Sequence, residues 1–85
     1  MKYQVSWGDD VVDELQRMHD AALDKEGLRH AVTRIGMELS HVPLDAGESR
    51  GGARRILFKH PLIVWYTVNE RLQTVNITKV GLSRR

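Results

Sequence analysis

Three short strand-like runs fill the second half of this chain: Arg54 to Lys59, Leu62 to Val68, and Gln73 to Val80. They are separated by His60-Pro61 and by Asn69 to Arg71, connections of a length suited to tight antiparallel hairpins. An 85-residue chain buries only about 60–65% of its unfolded surface, so the remaining elements must join this sheet in one core. In the middle run Leu62, Val64, Tyr66 and Val68 share one face while Ile63, Trp65 and Thr67 share the other. Both faces look covered, as in a central strand.

The first half supplies what the sheet needs. Tyr3, Val5 and Trp7 alternate with Lys2, Gln4 and Ser6, a period of 2 that predicts a half-buried strand ending at Gly8. Asp9 or Asp10 is placed to cap a helix, with Asp13 and Glu14 close behind to favour its positive end. Val11, Leu15, Met18 and Ala22 then recur at helical spacing, as do Leu28, Val32, Ile35, Leu39 and Val42 before Pro43 ends the run. A break over Lys25 to Gly27 divides the two helices into a hairpin. The glycine-rich stretch from Leu44 to Gly52 cannot stay helical and is expected to be a mobile connection. The expected architecture is a single α+β domain over residues 1–85, ordered β-α-α-β-β-β. Its mostly antiparallel sheet carries the helix pair on one face, with Leu15, Ile35, Val64 and Tyr66 in the core.

Charge is distributed unevenly. Residues 43–85 hold eight basic side chains against three acidic ones, a balance of +5, whereas residues 1–42 hold five against eight, a balance of −3. A dipolar chain of this kind points to a partner bound by one end, polyanions first among the candidates. The absence of cysteine excludes disulfides and thiolate chemistry and fits a reducing compartment. The N-terminal residues show no apolar signal core, and no apolar run approaches the ~18–20 residues of a membrane span, so a cytoplasmic protein is expected.

The order of these pieces resembles the RelE/ParE superfamily of bacterial toxins. The resemblance is carried by the strand, the helical hairpin, Gly47 to Arg50, Arg54-Arg55, Pro61 to Val68, Val75 to Val80 and the closing Arg84-Arg85. It covers nearly the whole chain and rests on order and spacing. It implies the toxin of a type II toxin–antitoxin system, neutralised by a cognate antitoxin protein that covers its sheet and basic cleft. Two activities are open under that resemblance: ribosome-dependent cleavage of messenger RNA, or poisoning of DNA gyrase. A third possibility is a degenerate member that binds a partner and cleaves nothing.

Metal-free RNA cleavage uses the ribose 2′-hydroxyl as nucleophile on the adjacent phosphate. It requires a proton acceptor, a proton donor and cations around the phosphorus. In cleaving members of the family, basic residues on the second and third strands and an arginine near the end of the last strand take these roles. By resemblance Arg54, Lys59 and Arg84 are the catalytic candidates here, with Arg50, Arg55, His60, Lys79 and Arg85 as RNA- or phosphate-binding residues and no metal or cofactor. Arginine's planar fork suits a phosphate gripped in two places. The pattern departs from the family at Ile63, where cleaving members often carry an arginine, and no aromatic residue or histidine follows Arg84. His60 is the nearby side chain that exchanges protons near neutral pH, although its simplest role is that of a loop residue before Pro61.

Other constellations weaken on inspection. His19, His30 and His41 recur every 11 residues, without the i, i+4 partners of helical metal sites. Gly47 to Gly52 lacks the Gly-Lys-Ser/Thr ending of a phosphate loop. Trp7 and Trp65 could stack on bases, but their alternating apolar strands favour core packing, as does the register of Tyr66 with Leu62, Val64 and Val68.

Overall fold

The computed structural model describes residues 2–83. Strand β1 (Gln4–Trp7) leads into helices α1 (Asp9–Ala21) and α2 (Lys25–His41). A single helical turn, α3 (Pro43–Ala46), and a two-residue strand, β2 (Glu48–Ser49), precede β3 (Arg54–Lys59), β4 (Leu62–Asn69) and β5 (Thr74–Leu82). The five strands form one sheet in the order β1-β5-β4-β3-β2, antiparallel except for the β1–β5 pair. The helices pack on one face, where Leu28, Ala31, Ile35 and Leu39 meet Leu57, Leu62, Val64, Tyr66, Val75 and Ile77. None of the described helices is long and apolar enough to cross a membrane.

Two boundaries differ from the sequence reading. The break between the long helices falls at Ala22 to Asp24, and Gly27 lies inside the first turn of α2. Asp24 caps that helix by accepting a hydrogen bond from the Gly27 amide at 2.9 Å. A Cβ at Gly27 would collide with the same carboxylate, so this glycine admits the cap rather than breaking the helix. The stretch after Pro43 is likewise ordered into α3 and the edge strand β2, instead of forming a mobile connection. Only its far end needs glycine for conformation: Gly51 and Gly52 have φ of 102° and 56°, in the turn closed by Arg50 N–H to the Arg54 carbonyl at 2.8 Å.

The faces of β4 also differ from expectation. Its Leu62, Val64 and Tyr66 are buried beneath the helices, but no helix covers Ile63, Trp65 and Thr67, which are half-buried on an open face. The register of β5 explains how alternation survives its irregular sequence. Trp65 pairs with Lys79 and Tyr66 with Ile77, so Thr78 is the extra residue of a bulge. The bulge keeps both Ile77 and Val80 in the core while turning Lys79 to the open side. On α1 only Val11 is fully buried; Leu15 and Met18, with Ala22 just beyond the helix, pack against the core with part of their surface in solvent, a correction to the placement of Leu15 in the interior.

This burial difference sets the cost of truncation. Ile35, at 0% exposure, should lose about 2–5 kcal/mol on Ile35→Ala, whereas Leu15→Ala should lose clearly less. Thermal melts of the two variants check the order, and a larger drop for Leu15→Ala would contradict the packing described.

Candidate functional site

Strand alternation divides the basic run of β3 between the two faces of the sheet. Arg55, Leu57 and Lys59 stand opposite Tyr66, Val64 and Leu62, which fixes them on the helix side. Arg54, Ile56 and Phe58 stand opposite Thr67, Trp65 and Ile63 on the open side. A one-residue difference in position therefore gives Arg54 and Arg55 unrelated surroundings.

Arg55 serves the fold. Its Nη2 donates to the carbonyls of Leu44 and Gly47, each at 2.6 Å, and so satisfies acceptors left by the α3 turn. The Tyr66 hydroxyl donates to the Pro43 carbonyl at 2.8 Å from the neighbouring strand. Gly47 lies so close to the Ile56 carbonyl and the Tyr66 hydroxyl that no Cβ fits there. Burial raises the pKa of the Tyr66 phenol, an effect that the adjacent Arg55 guanidinium partly opposes. Lys59 is also engaged, its Nζ bonded to the Glu38 carboxylate of α2.

The open face carries different side chains. The Arg54 side chain is exposed and makes no hydrogen bond or ion pair with the described residues. Lys79 places its Nζ 5.0 Å from the centroid of the Trp65 ring, within cation–π range. Phe58 is 53% exposed, and Ile56, opposite Trp65, is closed over by its neighbours at 5%. From strand spacing and rise, the Cα atoms of Arg54 and Lys79 are about 12 Å apart. Arg50 lies in the β2–β3 turn beside Glu48 at 3.4 Å, and both side chains are solvated.

The predicted site residues are thus distributed rather than convergent. Arg54 and Lys79 share the open face, with Arg50 at its margin. Arg55 and Lys59 point to the helix side, and His60 is exposed in the β3–β4 turn, at the other end of β3 from Arg54. The amide of Ser83 bonds to the Pro61 carbonyl at 2.7 Å, tying the end of β5 to that turn. Arg84 and Arg85 lie outside the described residues. His19, His30 and His41 do not converge, and the described residues hold no group of three or more metal-ligating side chains. Sequence reasoning missed the apolar part of this face, Ile56, Phe58 and Trp65. The signal was the parity of β4, since Trp65 alternates out of register with Tyr66.

No family model matches the chain, and no curated protein sequence matches it significantly. Solved structures do. The chain is similar to one in the RelBE2 toxin–antitoxin complex of Mycobacterium tuberculosis, with a TM-score of 0.77 at 21% identity, covering 96% of this chain and 99% of that one. It is similar to a chain of the archaeal RelE–RelB complex of Pyrococcus horikoshii, with a TM-score of 0.72 at 22% identity over 100% and 99% of the two chains. The isolated RelE toxin of Escherichia coli superposes with a TM-score of 0.67 at 16% identity, over 98% and 86%. The chain has the RelE toxin fold.

The polar brace is testable without reference to function. Tyr66→Phe leaves the Pro43 carbonyl without its donor and should destabilise by about 1–3 kcal/mol at neutral pH. Because burial raises the folded pKa, this advantage of the native phenol is complete below the unfolded value of 10.0 and is lost as pH rises through the folded value. Denaturation midpoints of the two proteins should therefore converge above about pH 10. Parallel alkaline profiles would contradict the burial of this hydroxyl.

Proposed function

We propose that this protein is the toxin of a type II toxin–antitoxin pair, held inactive by a cognate antitoxin and directed in the cytoplasm at ribosome-bound messenger RNA. The observation that carries this reading is the end-to-end match of its fold to chains crystallised in RelB–RelE complexes, which it covers over 99% of their length. The charge pattern supports it, because the basic half of the chain builds the sheet whose open face presents Arg54 and Lys79 to solvent.

In this reading Arg54 grips phosphate on the open face, with Lys79 and Arg50 adding positive charge along the strand path. Arg55 and Lys59 hold the frame, Arg55 through the α3 carbonyls and Lys59 through Glu38. Cleavage by the 2′-hydroxyl route would draw its proton exchange from His60 and its remaining cation from Arg84. A second reading, in which the toxin binds its target without cutting it or poisons gyrase, is favoured by one feature. His60 and Arg54 stand at opposite ends of a six-residue strand, roughly 20 Å apart by strand rise, too far to act on one phosphate.

Induction without the antitoxin should arrest bacterial growth, and co-expression of the antitoxin should relieve the arrest. Cleaved, ribosome-associated messages with unchanged supercoiling are expected; gyrase-linked DNA breaks with intact messages would overturn the messenger-RNA reading, and normal growth at high expression would overturn the toxin. Arg54→Ala should relieve toxicity while changing stability by no more than about 0.5 kcal/mol, because the side chain is solvated. Arg54→Lys should rescue poorly if the phosphate is held by the planar fork.

A further inference from the structure

We propose that the outer face of the α1–α2 hairpin is a self-association surface, on which a second copy of this chain docks about a two-fold axis parallel to the helices, α1 of each protomer lying on α2 of its partner. This face is on the side of the molecule opposite the open sheet, and its use does not depend on what the sheet binds.

The hairpin leaves a seam that the single chain does not close. Val12, Leu15 and His19 of α1 and Leu28, Val32 and Thr33 of α2 border a shallow groove between the helices, on which Val12 is 50% exposed. The Nε2 atom of His19 is out of water yet has no hydrogen-bond partner among the described residues, an arrangement folded chains seldom keep. Gly36 follows Val32 by four residues and so lies on the same side of α2. A Cβ added there meets nothing within 4 Å, so no neighbour in the chain requires glycine, and glycine inside a helix is less favourable than alanine. Gly27 differs, being fixed by the Asp24 cap. The missing side chain at Gly36 lets another helix approach closely over the seam.

Charge selects the occupant. Helix α1 carries Asp9, Asp10, Asp13, Glu14 and Asp20 against Arg17, whereas α2 carries Lys25, Arg29 and Arg34 against Glu26 and Glu38, and Glu38 is already bonded to Lys59. A partner of one sign is attracted by one helix and repelled by the other, but a second copy brings both signs. An axis perpendicular to the helices would set acidic α1 on acidic α1. The axis parallel to them sets each α1 on the partner's α2 and leaves every residue at its own height along the hairpin. Counting back from the turn at Ala22 to Asp24, Val12 lies level with the turn of α2 from Val32 to Gly36, and Asp20 lies within a turn of Arg29. Arg29 is held within its own chain only by Glu26 at 3.8 Å in a solvated pair, which exchanges readily. Helix α1 is about 20 Å long and two helices side by side span about 20 Å. Such a face is small for a stable interface, so the expected Kd is on the order of tens of micromolar.

Sedimentation equilibrium of the isolated full chain, at concentrations bracketing that Kd, should fit a monomer–dimer equilibrium that weakens as salt rises. Gly36→Leu should raise the melting temperature of the dilute monomer, because a side chain there favours the helix and meets nothing, while weakening dimerisation about tenfold or more by holding the helices apart. Asp20→Lys and Arg29→Glu should each weaken self-association about tenfold. Mixing these two variants should recover it, since each contact of the heterodimer then joins opposite charges, a recovery that no folding defect in either variant could imitate. A chain that stays monomeric throughout would overturn the proposal, and so would a dimer indifferent to Gly36→Leu. Failure of the mixture to associate would overturn the pairing of α1 with α2. A chain that is monomeric alone, and whose Gly36→Leu variant no longer binds its antitoxin, would assign the groove to the antitoxin instead of a second copy.

Discussion

Tyr66 is subject to two demands that pull in opposite directions. Its ring fills the centre of the core at 1% exposure, yet its hydroxyl, once removed from water, must find a partner there. The Pro43 carbonyl is that partner, and the bond reaches from the middle strand to the turn that follows α2. Arg55, opposite Tyr66 on β3, extends the same contact to Leu44 and Gly47. Three consecutive features of the connection, its proline, its helical turn and its glycine, are thereby held against the sheet by two side chains. The position of the β2–β3 hairpin follows from them, and with it the positions of Arg50 and Arg54.

That brace also sorts the basic residues. A strand presents alternate residues to opposite faces, so a run of closely spaced cations cannot form one cluster unless it occupies every second position. Here Arg55 and Lys59 fall on the helix side and are used up in bonds to carbonyls and to Glu38. Arg54 falls on the other side and stays in water. Burial decides the worth of each contact: the Arg50–Glu48 pair is exposed and contributes little, whereas Lys59–Glu38 is half-buried and joins α2 to the sheet. The bulge at Thr78 completes the sorting by delivering Lys79 to the open face beside Trp65.

Much of this was legible in the sequence because it depends on periodicity. The order of elements, the helix-facing stripe of α2 and the burial of Val64 and Tyr66 follow from spacings of two and of three to four residues. The misreadings have a common source. Gly27 and Gly47 read as breakers, yet each glycine is present because a polar side chain approaches it, Asp24 in one case and Tyr66 in the other, and such approaches leave no periodic trace. Trp65 read as core because it is apolar and lies in an apolar strand. Whether anything covers the second face of a strand depends on how many helices the chain can supply, and two long ones suffice for a single face. The Lys59–Glu38 contact spans 21 positions between different elements and has no local signature. That the second half carries basic residues on strands was legible; their division into a structural and an exposed set was not.

The central claim is that the helix-free face, and not the helical hairpin, meets the target. Nuclear magnetic resonance measures this directly, by titrating the isotopically labelled protein with uncleavable single-stranded RNA and following backbone amides together with the two indole N–H signals. The account predicts that the Trp65 indole and the amides of Arg54, Phe58 and Lys79 shift, while the Trp7 indole and the outer faces of α1 and α2 stay in place. Shifts concentrated on α1 and α2, with the Trp65 indole unmoved, would contradict it.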